Sequence, residues 1–162
     1  MLKHNRCKTA VITLLLAIIA LFPFLSLRAE PSVDLEIIKI IESDGNPLAF
    51  NSGTKCYGLY QISEICLKDY NQMNTTAYLP KDLFNPRTNE KIAGWYFKRI
   101  EKMLHFYNIP VSTTTLIASY NWGIGNVIKW HRAGAKFQEL PKATKKYIQT
   151  YQKLNLASVR PR

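Results

Sequence analysis

The sequence predicts a mainly α domain. Three observations carry this. Apolar residues recur at three- and four-residue spacing in several segments. Asn, Ser and Pro stand where those segments begin. Alternating apolar and polar runs of strand length are scarce. Val33, Ile37, Ile38 and Ile41 form one helical stripe, so residues 33–43 should be an amphipathic helix that Gly45 and Pro47 stop. Residues 45–57, rich in Asn, Gly and Ser, read as a loop with room for one short β-hairpin. A second helix is expected over 59–71, followed by a polar, irregular stretch over 72–85. Asn85-Pro86 has the form of an N-cap with proline at the first helical position. The long helix after it carries Ile92, Trp95, Tyr96, Ile100, Met103, Leu104 and Tyr107 on a broad face. Ser112 can cap the next helix, which runs through Leu116, Ile117 and Tyr120 to Gly123. A short helix is expected around Val127–His131, and Pro141 opens a last one bearing Tyr147, Ile148, Tyr151 and Leu154.

Residues 1–29 stand apart. Lys3, Arg6 and Lys8 precede an apolar run from Ala10 to Leu27, and Ala29 supplies a small residue for cleavage. This is the layout of a secretory signal peptide. Leu27 sits where a small residue is preferred, and the run is near bilayer-spanning length, so a retained N-terminal anchor is the alternative. On that anchor alone would contact with a membrane rest. Either form sends the rest of the chain out of the cytoplasm, to the periplasm or cell envelope. The expected organisation is therefore a leader over 1–29, one domain over 30–155 and a frayed tail over 156–162.

Export changes how the cysteines read. Cys7 lies in the leader, which leaves Cys56 and Cys66. A disulfide between them suits an oxidising compartment, and two buried thiols are the alternative. His105 and His131 are isolated, so no metal site and no cofactor are expected. The chain carries a net charge of +11. With Lys3, Arg6, Lys8 and Arg28 set aside, 18 basic and 11 acidic residues remain, a net of +7. Such a protein collects on polyanions, and export disfavours nucleic acid as the partner.

Glu42 ends a helix whose other face is rich in Ile. A carboxyl held against apolar surface resists ionisation and can serve as a proton donor near neutral pH. The plain alternative is an exposed helix-end carboxylate. The segments around it add weight. Glu42-Ser43 is followed by Gly58-Leu59-Tyr60-Gln61-Ile62-Ser63. Next comes Asp82-Leu83-Phe84-Asn85-Pro86 with Gly94-Trp95-Tyr96. Then stand Ala118-Ser119-Tyr120-Asn121-Trp122-Gly123-Ile124-Gly125-Asn126-Val127, and Leu140-Pro141 with Thr144 and Tyr147. In this order and spacing they resemble the catalytic domain of soluble lytic transglycosylases, relatives of goose-type lysozyme.

The resemblance spans residues 33 to about 152 and implies a lysozyme-like helical domain with a substrate groove. It implies Glu42 as the single catalytic acid and base, with Ser43, Gln61, Tyr120, Asn121 and Tyr147 toward the sugar or the acid. The substrate it implies is the glycan strand of peptidoglycan, cut between N-acetylmuramic acid and N-acetylglucosamine with closure of a 1,6-anhydro ring. A lysozyme-type hydrolase with the same acid, or a non-catalytic wall-binding component of an envelope machine, are the rival readings. A secretion or conjugation machine is a candidate partner. Tyr60 stands where the family pattern usually has Met, Trp122 where a small residue is usual, and Ala143 where an acid is common. The two aromatic replacements put subsite preference in question.

Overall fold

The structure, a computed structural model, describes residues 32–158. The expected leader over 1–29 and residues 159–162 of the expected tail lie outside the described residues. Helix α1 spans Leu35–Ser43. The Asp34 carboxylate caps it by accepting from the Glu36 N–H at 2.9 Å. The helix ends where Asp44 turns into the left-handed region at φ 52°. Ile37 and Ile38 are its buried residues.

The expected hairpin is a three-stranded antiparallel sheet of two-residue strands: β1 Phe50–Asn51, β2 Cys56–Tyr57 and β3 Ile62–Ser63. Tyr57 pairs with Phe50 on one side and Ile62 on the other. Helix α2, Glu64–Asn74, starts five residues later than the sequence reading placed it. Gln61 has φ 48°, outside the helical range, and the Ser63 hydroxyl caps the helix by accepting from the Cys66 N–H at 3.2 Å. A 3-10 turn over Pro80–Phe84 orders part of the stretch read as irregular.

Helix α3 spans Pro86–Phe106, with the Asn85 side chain capping the Arg87 and Thr88 amides. Its buried face is Asn89, Ile92, Ala93, Phe97, Ile100 and Leu104. Phe97 thus takes a core place, whereas Tyr107, expected on that face, is exposed. Helix α4, Thr113–Trp122, is closed by a reciprocal Ser112–Thr115 cap and buries five residues in a row, Thr115 to Ser119. The middle of α4 is buried on every side, and the helix packs against α3, α5 (Ile124–Arg132) and α6 (Lys142–Ser158). α6 continues through residues 156–158, which the sequence reading had assigned to a frayed tail.

The core is continuous. Ile38, Tyr60, Ile62, Ile92, Ile100, Ile117 and Ile148 are each at most 2% exposed. Burial of such side chains contributes about 1.5–3 kcal/mol each before entropy is charged against it. α1 packs on α6, and the Tyr151 hydroxyl accepts from the Asp34 N–H at 2.7 Å. The end of the chain therefore holds the helix that carries Glu42. Among the described residues, no helix is long and apolar enough to cross a membrane.

Candidate active site

A groove of about 360 Å³ lies where the end of α1, the small sheet and α4 meet. Glu42, Asn51, Gln61, Ser63, Tyr96, Tyr120 and Asn121 are among the residues along it. Of the described residues that line it, Glu42 alone carries a carboxylate.

Glu42 is half-buried, and burial raises its carboxyl to about 6 from an ordinary 4.5. The Tyr147 hydroxyl donates to Glu42 Oε1 at 2.7 Å and opposes part of that rise. Oε2 is left for the groove. Burial and the neighbouring carboxylate hold the Tyr147 phenol far above its usual range, so it stays a donor. Asp44 is exposed, two residues beyond Glu42 at the helix end. Glu64 accepts from the Tyr57 hydroxyl at 2.6 Å. Neither lines the groove.

Gln61 reaches the groove but spends its amide N–H groups on the backbone, donating to Gly58 O at 3.0 Å and Ala49 O at 3.3 Å. Its Oε1 is the atom left to meet a ligand. The Tyr120 hydroxyl donates to Tyr60 O at 2.6 Å, which ties α4 to the same loop. The Tyr120 ring is stacked on Phe97 at 4.6 Å and flanked by Tyr96 at 5.7 Å. Asn121 is exposed, and its Oδ1 accepts from the buried Thr144 hydroxyl at 3.0 Å. That bond turns the amide NH2 outward as a donor.

Ser43, expected to orient the substrate or the acid, is tied to backbone. Its hydroxyl donates to Leu59 O at 2.8 Å, and it does not line the groove. It fastens the end of α1 to the loop that carries Gln61. Tyr60 and Trp122, the two aromatic departures from the family pattern, also stay out of the groove wall: Tyr60 is fully buried in the core and Trp122 packs half-buried beside it. Cys56 and Cys66 both line the groove, and each is a free thiol. Burial pushes Cys66 up to about 12. Among the described residues, no three His, Cys, Asp or Glu side chains cluster as a metal site would need.

Asn89 was not singled out by the sequence. It is fully buried, donates to Tyr57 O and Leu83 O at 2.8 Å each, and accepts from the Tyr60 N–H at 2.8 Å. One amide thus fixes both ends of the Gly58–Tyr60 turn. Gly58 makes this possible: at φ 73°, a Cβ there would stand 2.3 Å from Leu83 O and 2.5 Å from Asn89 Nδ2. The available signal was an Asn at a core position of the α3 stripe, three residues before Ile92.

The solved structure of the 70 kDa soluble lytic transglycosylase of Escherichia coli matches with a TM-score of 0.63 and 20% sequence identity, over 76% of this chain. The chain spans about a fifth of that protein's length, 21%. The likeness shows the fold, and the lysozyme-like helical class expected from the sequence holds. No curated relative matches. The family model described as the transglycosylase SLT domain matches residues 28–141, most of the chain, and the protein belongs to that family.

Proposed function

We propose that this protein is an exported lytic transglycosylase that cuts the β-1,4 bond between N-acetylmuramic acid and N-acetylglucosamine in peptidoglycan, with Glu42 as its one acid and base. The observation that carries the reading is a single carboxylate in a sugar-sized groove, held near pKa 6 and anchored by Tyr147. The 70 kDa protein of similar fold is a soluble lytic transglycosylase, and the matching family is that of a transglycosylase domain.

Paired-carboxylate glycosidases need a second acid as nucleophile or as the base for water. A groove with one carboxylate instead suits a substrate-assisted route. Protonated Glu42 gives its proton to the glycosidic oxygen as the bond to C1 of muramic acid breaks. The substrate's own acetamido oxygen bonds to C1 and holds the positive charge. Ionised Glu42 then takes the proton of the muramic 6-hydroxyl, whose oxygen attacks C1 and releases the acetamido group as the 1,6-anhydro ring closes. A pKa near 6 serves both steps, because the group must give and regain a proton near neutrality. Gln61 Oε1 and the Asn121 amide NH2 offer an acceptor and a donor to the sugar, and Tyr120 a wall.

Peptidoglycan lies outside the cytoplasm, and residues 1–29 have the layout that would send the domain over 30–155 there. The test is mass spectrometry of products released from purified peptidoglycan by the wild-type chain and by Glu42→Gln. Anhydro-muramic ends that vanish in the variant are expected. Reducing ends would make the protein a hydrolase with the same acid. Absence of any Glu42-dependent product would overturn the catalytic reading.

A further inference from the structure

A second feature lies on the α2–α3 face, outside the groove that holds Glu42. Two depressions, of about 250 and 660 Å³, meet at Trp95 and Lys98, which line both. Arg87, Lys91, Lys98 and Lys102 follow one another along α3 at spacings of four, seven and four residues. At 3.6 residues per turn these positions form one stripe. From Arg87 to Phe106 the stripe runs about 28 Å.

The four cations are exposed, and none meets a carboxylate within 4.0 Å among the described residues. Glu90 is the one acid lining either depression. Arg99 differs: its guanidinium donates to Asp69 Oδ1 at 2.9 Å and lies 5.6 Å above the Trp95 ring. It holds the Trp95 floor in place. Apolar surface adjoins the cations, with Phe106 78% and Met73 59% exposed. Like charges in a row self-repel, and large exposed apolar side chains cost solvation, so this combination marks an interaction face.

Charge decides the occupant. The chain's own remaining segments have the wrong sign: residues 1–31 carry Lys3, Arg6, Lys8 and Arg28 against Glu30, and the last four carry Arg160 and Arg162. A second copy, net positive with or without residues 1–29, is repelled as well. A concave, Trp-floored channel between two helices takes a protruding side chain better than a flat lipid surface does. We infer that the α2–α3 face docks an acidic amphipathic segment of a partner protein, with carboxylates along the Arg87–Lys102 stripe and an apolar anchor over Trp95 beside Phe106.

The probe is a fluorescein-labelled helical peptide of about 18 residues with Glu at i, i+4, i+7 and i+11 beside a Leu stripe. Its anisotropy is titrated with the full-length chain. Binding is expected to weaken at least tenfold in Lys98→Glu/Lys102→Glu, and at least tenfold for a scrambled peptide of the same composition. The exposed control Lys129→Glu/Lys153→Glu, which changes net charge equally, should stay within twofold, with circular dichroism confirming the fold of each variant. Equal binding of the scrambled peptide, or equal loss in both variants, would reduce the effect to bulk charge and overturn the inference. Peptide indifference together with Lys98- and Lys102-dependent binding to phosphatidylglycerol vesicles would assign the face to lipid and overturn it too.

Discussion

The Tyr147 hydroxyl donates to Glu42 Oε1 at 2.7 Å across 105 residues of sequence. Burial raises the Glu42 carboxyl, this bond lowers it, and the balance stands at about 6. The proposed acid is therefore protonated below about pH 6 and loses its proton tenfold per pH unit above it. The alkaline limb of kcat/KM on peptidoglycan should bend near pH 6. A limb at the ordinary Glu value of 4.5 would show that burial does not hold the proton.

Tyr147→Phe removes the hydrogen bond that lowers Glu42. The alkaline limb should move upward in pH. The loss of one anchoring hydrogen bond should also cut kcat by about tenfold. A pH–rate profile separates the two effects. An unmoved limb with full kcat would deny Tyr147 any part in the site.

Glu42 also bears on stability. A folded-state value above the unfolded one means that the native chain binds more protons between about pH 4.5 and 6. This residue's contribution to stability thus falls as pH rises through that window and stays low above it. Glu42→Gln should then raise stability at pH 8 by about 1–2 kcal/mol, and by nothing at pH 4. Urea denaturation midpoints at the two pH values check this.

Asn89→Ala leaves Tyr57 O, Leu83 O and the Tyr60 N–H without their side-chain partner. A loss of about 3 kcal/mol is expected. Gly58→Ala should cost at least as much, because its Cβ would collide with Leu83 O at a backbone angle that disfavours any side chain. Denaturant midpoints give both values, and a change below about 0.5 kcal/mol in either would remove the clamp from this account.

Thr144→Val unties Asn121 Oδ1 and frees its amide to rotate. KM for glycan strands should rise about three- to tenfold with kcat less affected, and Thr144→Ser should restore it. Equal behaviour of the Val and Ser variants would leave Thr144 as packing alone.

The helices were legible where chemistry is local. The Asn85-Pro86 and Ser112 caps depend on side chains next to the amides they serve, and the structure has both. The start of α2 was not legible, because Gly58–Gln61 looks apolar enough for a helix until Asn89, about thirty residues on, pins it as a turn. In the site, the motif order brought Glu42, Gln61, Tyr120 and Asn121 to one groove. It did not show which atoms remain for a ligand. Ser43 Oγ, the Gln61 NH2 and the Tyr120 hydroxyl are all engaged with backbone carbonyls 12 to 60 residues away, which spacing in the sequence does not reveal. Phe97 joins the core face through its stacking on Tyr120 of α4, whereas Tyr107 falls just past the end of α3, at its C-cap, and is exposed.

α6 supplies Tyr147 to Glu42, Thr144 to Asn121 and Tyr151 to the amide of Asp34. All three attachments come from the last of the described helices, so in a chain made from its N-terminus they form after the element that carries Glu42. A chain without α6 would lack the Tyr147 hydroxyl that holds Glu42 Oε1. For a protein proposed to cut the wall of the cell that makes it, this arrangement would tie cutting to the arrival of α6.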